Sequence, residues 1–120
     1  MTDTEHTTAA GGLSAVTTES DGIRVISVEG EIDHHNGPVL QQALQASADR
    51  GPRVVLDMER VRFMDSSGIN LLLAAHHGLT QAGGWLRLVA PSAAVLRPIR
   101  LVGVDAVIAC HPTLPHALHA

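Results

Sequence analysis

Asp65-Ser66-Ser67-Gly68 is the segment of this 120-residue chain best placed to do chemistry. It sets two hydroxyls beside a carboxylate, directly after the apolar pair Phe63-Met64. An apolar stripe at helical spacing follows it: Ile69, Leu72, Leu73, His76 and Leu79. This is the pattern of a helix start, because Asp or Ser can accept the free N–H groups of a first turn and Gly68 permits a close backbone approach. Small polar caps are common, so capping alone accounts for the tetrapeptide. A second use is open to the same residues, which is to present one hydroxyl to a partner or a kinase. A phosphate there adds about −1.5 to −2 charge at the positive end of a helix dipole, where its cost to the fold is small. It also turns an uncharged contact with a docked partner into a charged one.

Other chemistries find less support. A nucleophilic serine needs a base in reach and an elbow such as G-x-S-x-G, whereas the chain has D-S-S-G. There is no G-x-x-x-x-G-K-[ST] loop and no Lys at all, and Gly11-Gly12 and Gly83-Gly84 read as tail and turn glycines. Eight histidines raise the question of a metal. His34–His35 and His76–His77 are adjacent pairs whose rings should diverge, and H-E-x-x-H and C-x-x-C are absent. His116-x-x-His119 has usable spacing but lies in a tail expected to fray. No catalytic residue, cofactor or metal is expected. His76 should be a satisfied histidine at the core boundary, and Cys110 a small buried hydrophobe.

Composition narrows the class further. Hydrophobic residues make up 45% and aromatic residues 2%, so the core must be built from Ala, Val, Leu and Ile. The net charge is −4, the eight basic residues are all Arg, and no two are adjacent. With no aromatic platforms for stacking bases, nucleic acid is not an expected ligand. A single cysteine suits a reducing compartment. No signal peptide opens the chain and no apolar run approaches the ~18 residues of a membrane span, so no membrane contact is expected. The expectation is one small, soluble, cytoplasmic domain.

Residues 1–12 are polar and Thr-rich, the pattern of a disordered N-terminal tail, with the domain running from 13 to 118. Leu13–Thr18 and Ile23–Glu29 alternate as strands around a turn at Glu19–Gly22, forming a hairpin. Gly30–Asn36 reads as a loop, with Asn36 as N-cap and Pro38 in the first turn of a helix that ends before Gly51-Pro52. Val54–Met58 is a strand, and Arg60–Met64 leads into the helix that starts at Asp65. Trp85–Val89 is the next strand. Ser92 caps a third helix with Val95, Leu96, Ile99 and Val102 on one side, where Pro98 argues for a break. Val104–Ala109 reads as a last strand, and Pro112–Ala120 as a short helix. The order implies an α/β fold: a mixed sheet of about five strands with helices packed mainly on one face.

Gly30-Glu31-Ile32-Asp33-His34-His35, together with the block from Val54 to Gly68 (VVLDMERVRFMDSSG), closely resembles the STAS-domain anti-sigma factor antagonists. The resemblance runs from about Leu13 to Leu118. It implies a domain that, unphosphorylated, binds an anti-sigma factor that is also a Ser/Thr kinase, and so frees a sigma factor. Phosphorylation of the serine directly after the Asp abolishes binding, and a phosphoprotein phosphatase restores it. Carried over, the phosphoacceptor is Ser66, flanked by Asp65 and Ser67, with Asp33 in the loop near it. The partner-binding face is expected on that loop and the first half of the following helix: Asp33, His34, His35, Asp65, Ser66, Ser67, Gly68 and Asn70. Asn70, His76–His77, Pro98 and the His- and Pro-rich tail depart from the family pattern. The alternative that the resemblance leaves for this chain is a solitary STAS subunit of a stress-signalling scaffold or of a lipid-transport ATPase complex, told apart mainly by partner because the fold is shared.

Overall fold

Six strands stand side by side in chain order in a computed structural model that describes residues 6–50 and 52–120. They are β1 (His6–Ala10), β2 (Leu13–Ser20), β3 (Ile23–Ile32), β4 (Arg53–Met64), β5 (Trp85–Val89) and the two-residue β6 (Cys110–His111). β1, β2 and β3 pair antiparallel, while β3 to β6 pair parallel, so the sheet is mixed. The parallel strands are joined through α1 (Gly37–Arg50), α2 (Ser66–Gln81) and α3 (Ala93–Leu101), and α4 (Leu114–Leu118) follows β6. The β2–β3 hairpin turns on two residues, Asp21 and Gly22. Both have positive φ (52° and 79°), as a two-residue turn matching the strand twist requires.

Alternation along the central strands divides the core in two. Ile26 and Val28 of β3, Val54, Leu56 and Met58 of β4 and Leu86 and Leu88 of β5 face α1, α2 and α3 in one large aliphatic cluster. Ile23, Val25, Val55 and Val89 face the other way, and Leu114, Ala117 and Leu118 of α4 cover them in a much smaller one. Three helices on one face and a short one on the other is the expected arrangement.

The structure differs from the sequence reading at several elements, each for a physical reason. His6–Ala10 is a strand where a tail is expected over residues 1–12, and residues 1–5 lie outside the described residues. Gly11 and Gly12, both at positive φ, reverse the chain, and the open edge of β2 offers backbone groups that pair whatever the side chains. β3 extends through Gly30-Glu31-Ile32, and β4 runs on to Met64. The β3–β4 ladder shifts register twice, each time with an extra residue on β4, between Asp57 and Arg60 and between Val61 and Phe63. These bulges break the period of two, so Met58, Val61 and Met64 are buried at intervals of three.

The end of the chain differs too. Val104–Ala106 is a single 3-10 turn, with Ile108 N–H donating to Val104 O at 2.8 Å and both side chains buried. An apolar run with i,i+4 burial is thus a helical turn, and the strand begins only at Cys110. α3 continues through Pro98. The carbonyl that loses its partner belongs to Ala94, an exposed residue, so water can take the bond. Val102 is not on the inward side but sits at the C-cap, 62% exposed.

Candidate functional site

The parallel pairing of β3 and β4 ends with Ile32 opposite Met64, so the segments that follow them leave the sheet side by side. Asp65 N–H donates to Ile32 O at 3.1 Å and ties the two exits together. The Asp33–Asn36 loop and the start of α2 therefore meet at the carboxyl ends of two neighbouring strands, where α/β sheets commonly place their sites. Gly68 makes the approach possible. A Cβ there would stand 2.2 Å from Met64 Cγ and 3.1 Å from Ile32 Cγ2.

Asp65 is the N-cap of α2. Its Oδ1 accepts the N–H groups of Ser67 at 2.9 Å and Gly68 at 3.4 Å, and also the Ser67 hydroxyl. That hydroxyl, above all, holds the Asp65 carboxyl below the ordinary carboxylate range. Partial burial opposes this, and the two backbone N–H groups and nearby His34 add to it. The two serines therefore differ. Ser67 is half-buried with its hydroxyl engaged, while Ser66, the first residue of the helix, is exposed and its hydroxyl has no hydrogen-bond partner among the described residues.

Across from this helix start, Asp33 Oδ1 accepts the N–H groups of His35 and Asn36 at 2.9 and 3.0 Å. The turn this makes leaves His34 and His35 exposed. Their rings do not diverge as expected: the centroids lie 4.0 Å apart, tilted by 37°. Asn36 is at the N-cap position of α1, but its carboxamide bonds to the backbone of Asp33, Gly11 and Glu31. Ser92 likewise precedes α3 without capping it, its hydroxyl donating to Val61 O at 3.1 Å.

Asn70, exposed on α2, borders two grooves. On one side His34, Gly37, Pro38, Gln41 and Ser67 line a depression between α1 and α2. On the other, Asp65, Ser66, Ile69, Leu73, Pro98 and Val102 line a groove of about 350 Å³ between α2 and α3. The second groove is apolar, with Leu73 and Val102 37% and 62% exposed. The structure thus brings all eight expected residues to one end of the sheet and adds a flank from α3 that sequence reasoning missed. The available signal was Leu101-Val102, an apolar pair that overruns the inward stripe of a short helix.

A family model for the STAS domain matches residues 14–117 of the chain. The chain belongs to the STAS domain family. Among its relatives is the anti-sigma-F factor antagonist RsfB of Mycobacterium tuberculosis, 30% identical over 111 residues, which span 92% of this chain and 90% of that one. The crystal structure of an anti-sigma factor antagonist from Mycobacterium paratuberculosis superposes with a TM-score of 0.83 at 38% identity, covering 92% of this chain and 95% of that one. SpoIIAA, an anti-sigma factor antagonist solved in its unphosphorylated form, gives 0.69 at 28% identity, with 80% and 84% covered.

The remaining titratable groups of this STAS domain lie away from that end. His116 pairs with His111, not with His119: their Nδ1 atoms are 2.8 Å apart, joining α4 to β6. Burial, and then the charges of His116 and Arg87, push His111 below its usual value. Cys110 is half-buried against the large cluster, and burial pushes its thiol up. His76 is half-buried, but its Nδ1 is unpartnered and so not the satisfied boundary histidine expected. Among the described residues no three His, Cys, Asp or Glu side chains are placed to hold a metal, and no helix is long and apolar enough to cross a membrane.

Proposed function

We propose that this STAS domain is a cytoplasmic anti-sigma factor antagonist that binds an anti-sigma factor with Ser/Thr kinase activity while Ser66 is unphosphorylated. Binding frees a sigma factor, phosphorylation of Ser66 ends it, and a phosphoprotein phosphatase restores it. The domain acts as a binding partner and a kinase substrate, with no turnover of its own. The observation that carries the reading is the contrast between the serines: Ser66 is exposed with a free hydroxyl inside an apolar groove, while the Ser67 hydroxyl is held by Asp65. The relatives named as anti-sigma factor antagonists support it.

In the transfer, Ser66 Oγ takes the γ-phosphoryl group of ATP, its proton leaves to a base of the kinase, and ADP departs. Before that transfer, the bound partner covers Asp33–His35, the exposed start of α2 and the groove reaching Leu73, Pro98 and Val102. A phosphate put into that contact must be desolvated against apolar side chains, so the complex is lost without any refolding. The domain has little reason to rearrange, because the new anion sits at the positive end of a 16-residue helix.

The test is to incubate the domain with ATP and its anti-sigma factor and map the modification by mass spectrometry. Modification of Ser66 is expected, and confinement to Ser67 would overturn the assignment. By calorimetry Ser66→Ala should bind, and Ser66→Asp should bind roughly 100-fold more weakly or not at all. Amide shift changes on phosphorylation should cluster at Asp33–His35 and Asp65–Leu73, and equal changes across β2 and β6 would mean a global switch instead.

A further inference from the structure

Asn36 and Arg24 are the polar residues buried among the described residues, and Asn36 is only 2% exposed. Its short carboxamide bonds to three backbone groups on two separate stretches of chain. Oδ1 accepts the Asp33 N–H at 2.9 Å, and Nδ2 donates to Glu31 O at 2.9 Å and to Gly11 O at 3.0 Å. Both amide protons are thereby used. A helix cap would be served as well by Ser, Thr or Asp, but none of these carries two N–H donors and an acceptor on one short stem. The residue type matches the bridge and not the cap.

The bridge joins the β1–β2 turn to the loop beside Ser66. Glu31 N–H donates to Gly12 O at 3.0 Å, and β3 comes so near that a Cβ on Gly30 would lie 1.9 Å from the same oxygen. On the other side of Asn36, Asp33 closes its turn onto His35, and Gly37 N–H donates to Asp33 O at 2.8 Å. Position 36 is thus the shared anchor of the Gly11–Gly12 turn and of the loop that presents His34 and His35.

We propose that Asn36 is a positioning residue for partner recognition. It fixes the Asp33–His35 loop against the start of α2, and it couples that loop to the β1–β2 turn, so that the docking of β1 on the sheet edge sets the affinity for the partner. The proposal rests on the reading of Ser66 as the switch within a partner-binding face, and it adds a residue that touches neither partner nor phosphate.

The experiment compares wild type, Asn36→Ala and Asn36→Asp by amide hydrogen exchange, by calorimetry with the anti-sigma factor, and by phosphorylation kinetics. In Asn36→Ala, exchange at Glu31, Asp33 and His35 should quicken roughly tenfold while Val55 and Leu56 keep their rates. Partner affinity should fall by a similar factor, and KM for phosphorylation should rise with kcat unchanged. Asn36→Asp keeps the acceptor but, when ionised, turns a carboxylate toward two carbonyls. Protonation returns one donor, so loop protection and affinity should recover as pH falls. Wild type at the same pH values corrects for Asp33, His34, His35 and Asp65, the titratable groups of the loop and the adjoining helix start. If Asn36→Ala accelerates the core amides as well, the pH recovery of Asn36→Asp decides. Loop amides as protected as in wild type, or a loosened loop with undiminished affinity, would overturn the proposal. A wild-type chain that binds no such kinase sinks the functional reading and with it the recognition role, while the exchange data separately decide whether Asn36 braces the loop.

Discussion

At the start of α2, Asp65 takes the free N–H groups of the first turn and the Ser67 hydroxyl, and Ser66 is left facing solvent. At the start of α3, Ser92 holds the same position, yet it caps nothing and donates its hydroxyl to Val61 O on β4. Both helices follow a parallel strand and both open on small polar residues. The difference is what the backbone needs from them. Where a carboxylate satisfies the helix end by itself, a neighbouring hydroxyl is released for other chemistry. Where the serine must serve a buried strand carbonyl, it is part of the fold. Serines at helix starts are therefore told apart by what already holds the cap.

The largest difference between the two starts should appear one turn in. Gly68 and Val95 occupy equivalent positions, three residues after each cap, and Val95 is fully buried where Gly68 has no room for a Cβ. Gly68→Ala should cost about 2–3 kcal/mol by chemical denaturation, since Met64 and Ile32 must give way at the ends of their strands. A variant as stable as wild type would show that α2 is free to shift, and the close approach of the two strand exits would not matter to the site.

Next in size is the cap itself. Asp65→Ala should cost about 1–2 kcal/mol, and Asp65→Asn less, because the amide oxygen still accepts. The carboxyl titrates below its ordinary value in the folded chain. Its contribution is therefore present above the unfolded carboxylate pKa of ~3.9 and is lost as pH falls through the lower folded value. An acid titration followed at the Ser67 and Gly68 amides should show that loss in wild type and not in Asp65→Asn. At α3 no such titration exists, so the amides of Val95 and Leu96 should stay unresponsive over the same range.

The α2 start was legible in the sequence because its local chemistry and its tertiary role agree: one carboxylate, two serines, one glycine and a helical stripe. What escaped sequence reading was set by distant partners. The bulges in β4 that place Met58, Val61 and Met64 inward at threes depend on β3, and no period in the chain announces them. Ser92 looks like a cap until Val61 is placed beside it. Asn36 looks like one until Gly11, 25 residues earlier, folds back over it. The run from Val104 to Ala109 has strand-like composition, but only Val104 and Ile108 find the core, and that spacing makes a turn. The α3 flank of the groove was missed for a related reason, since Val102 reads as core by type and is surface by position.

Ser92→Ala should cost about 1 kcal/mol, the worth of one hydrogen bond whose acceptor is left on a strand carbonyl. It should leave phosphorylation and partner affinity as in wild type, because Ser92 does not line the groove beside Ser66. Loss of partner binding in this variant, measured by calorimetry with the fold intact by amide shifts, would extend the face along α3 to its very start and blur the contrast between the two serines.

The smallest effect on the fold belongs to Ser66→Ala, and there the contrast is sharpest. The hydroxyl has no partner among the described residues, the residue is exposed, and Asp65 already serves the helix end. Alanine also favours a helical position slightly over serine. The change in stability should therefore stay within about 0.5 kcal/mol, in either direction, while phosphate incorporation from ATP falls to background. Ser67→Ala should do the reverse. It removes the hydroxyl bond that most lowers the Asp65 carboxyl, costs about 0.5–1.5 kcal/mol, and leaves phosphorylation in place. Denaturation curves and phosphate counts on the two variants form a crossed pair. If both serines cost stability equally, or if both variants still accept phosphate, then the Asp65 carboxylate does not sort one hydroxyl to the fold and the other to the switch.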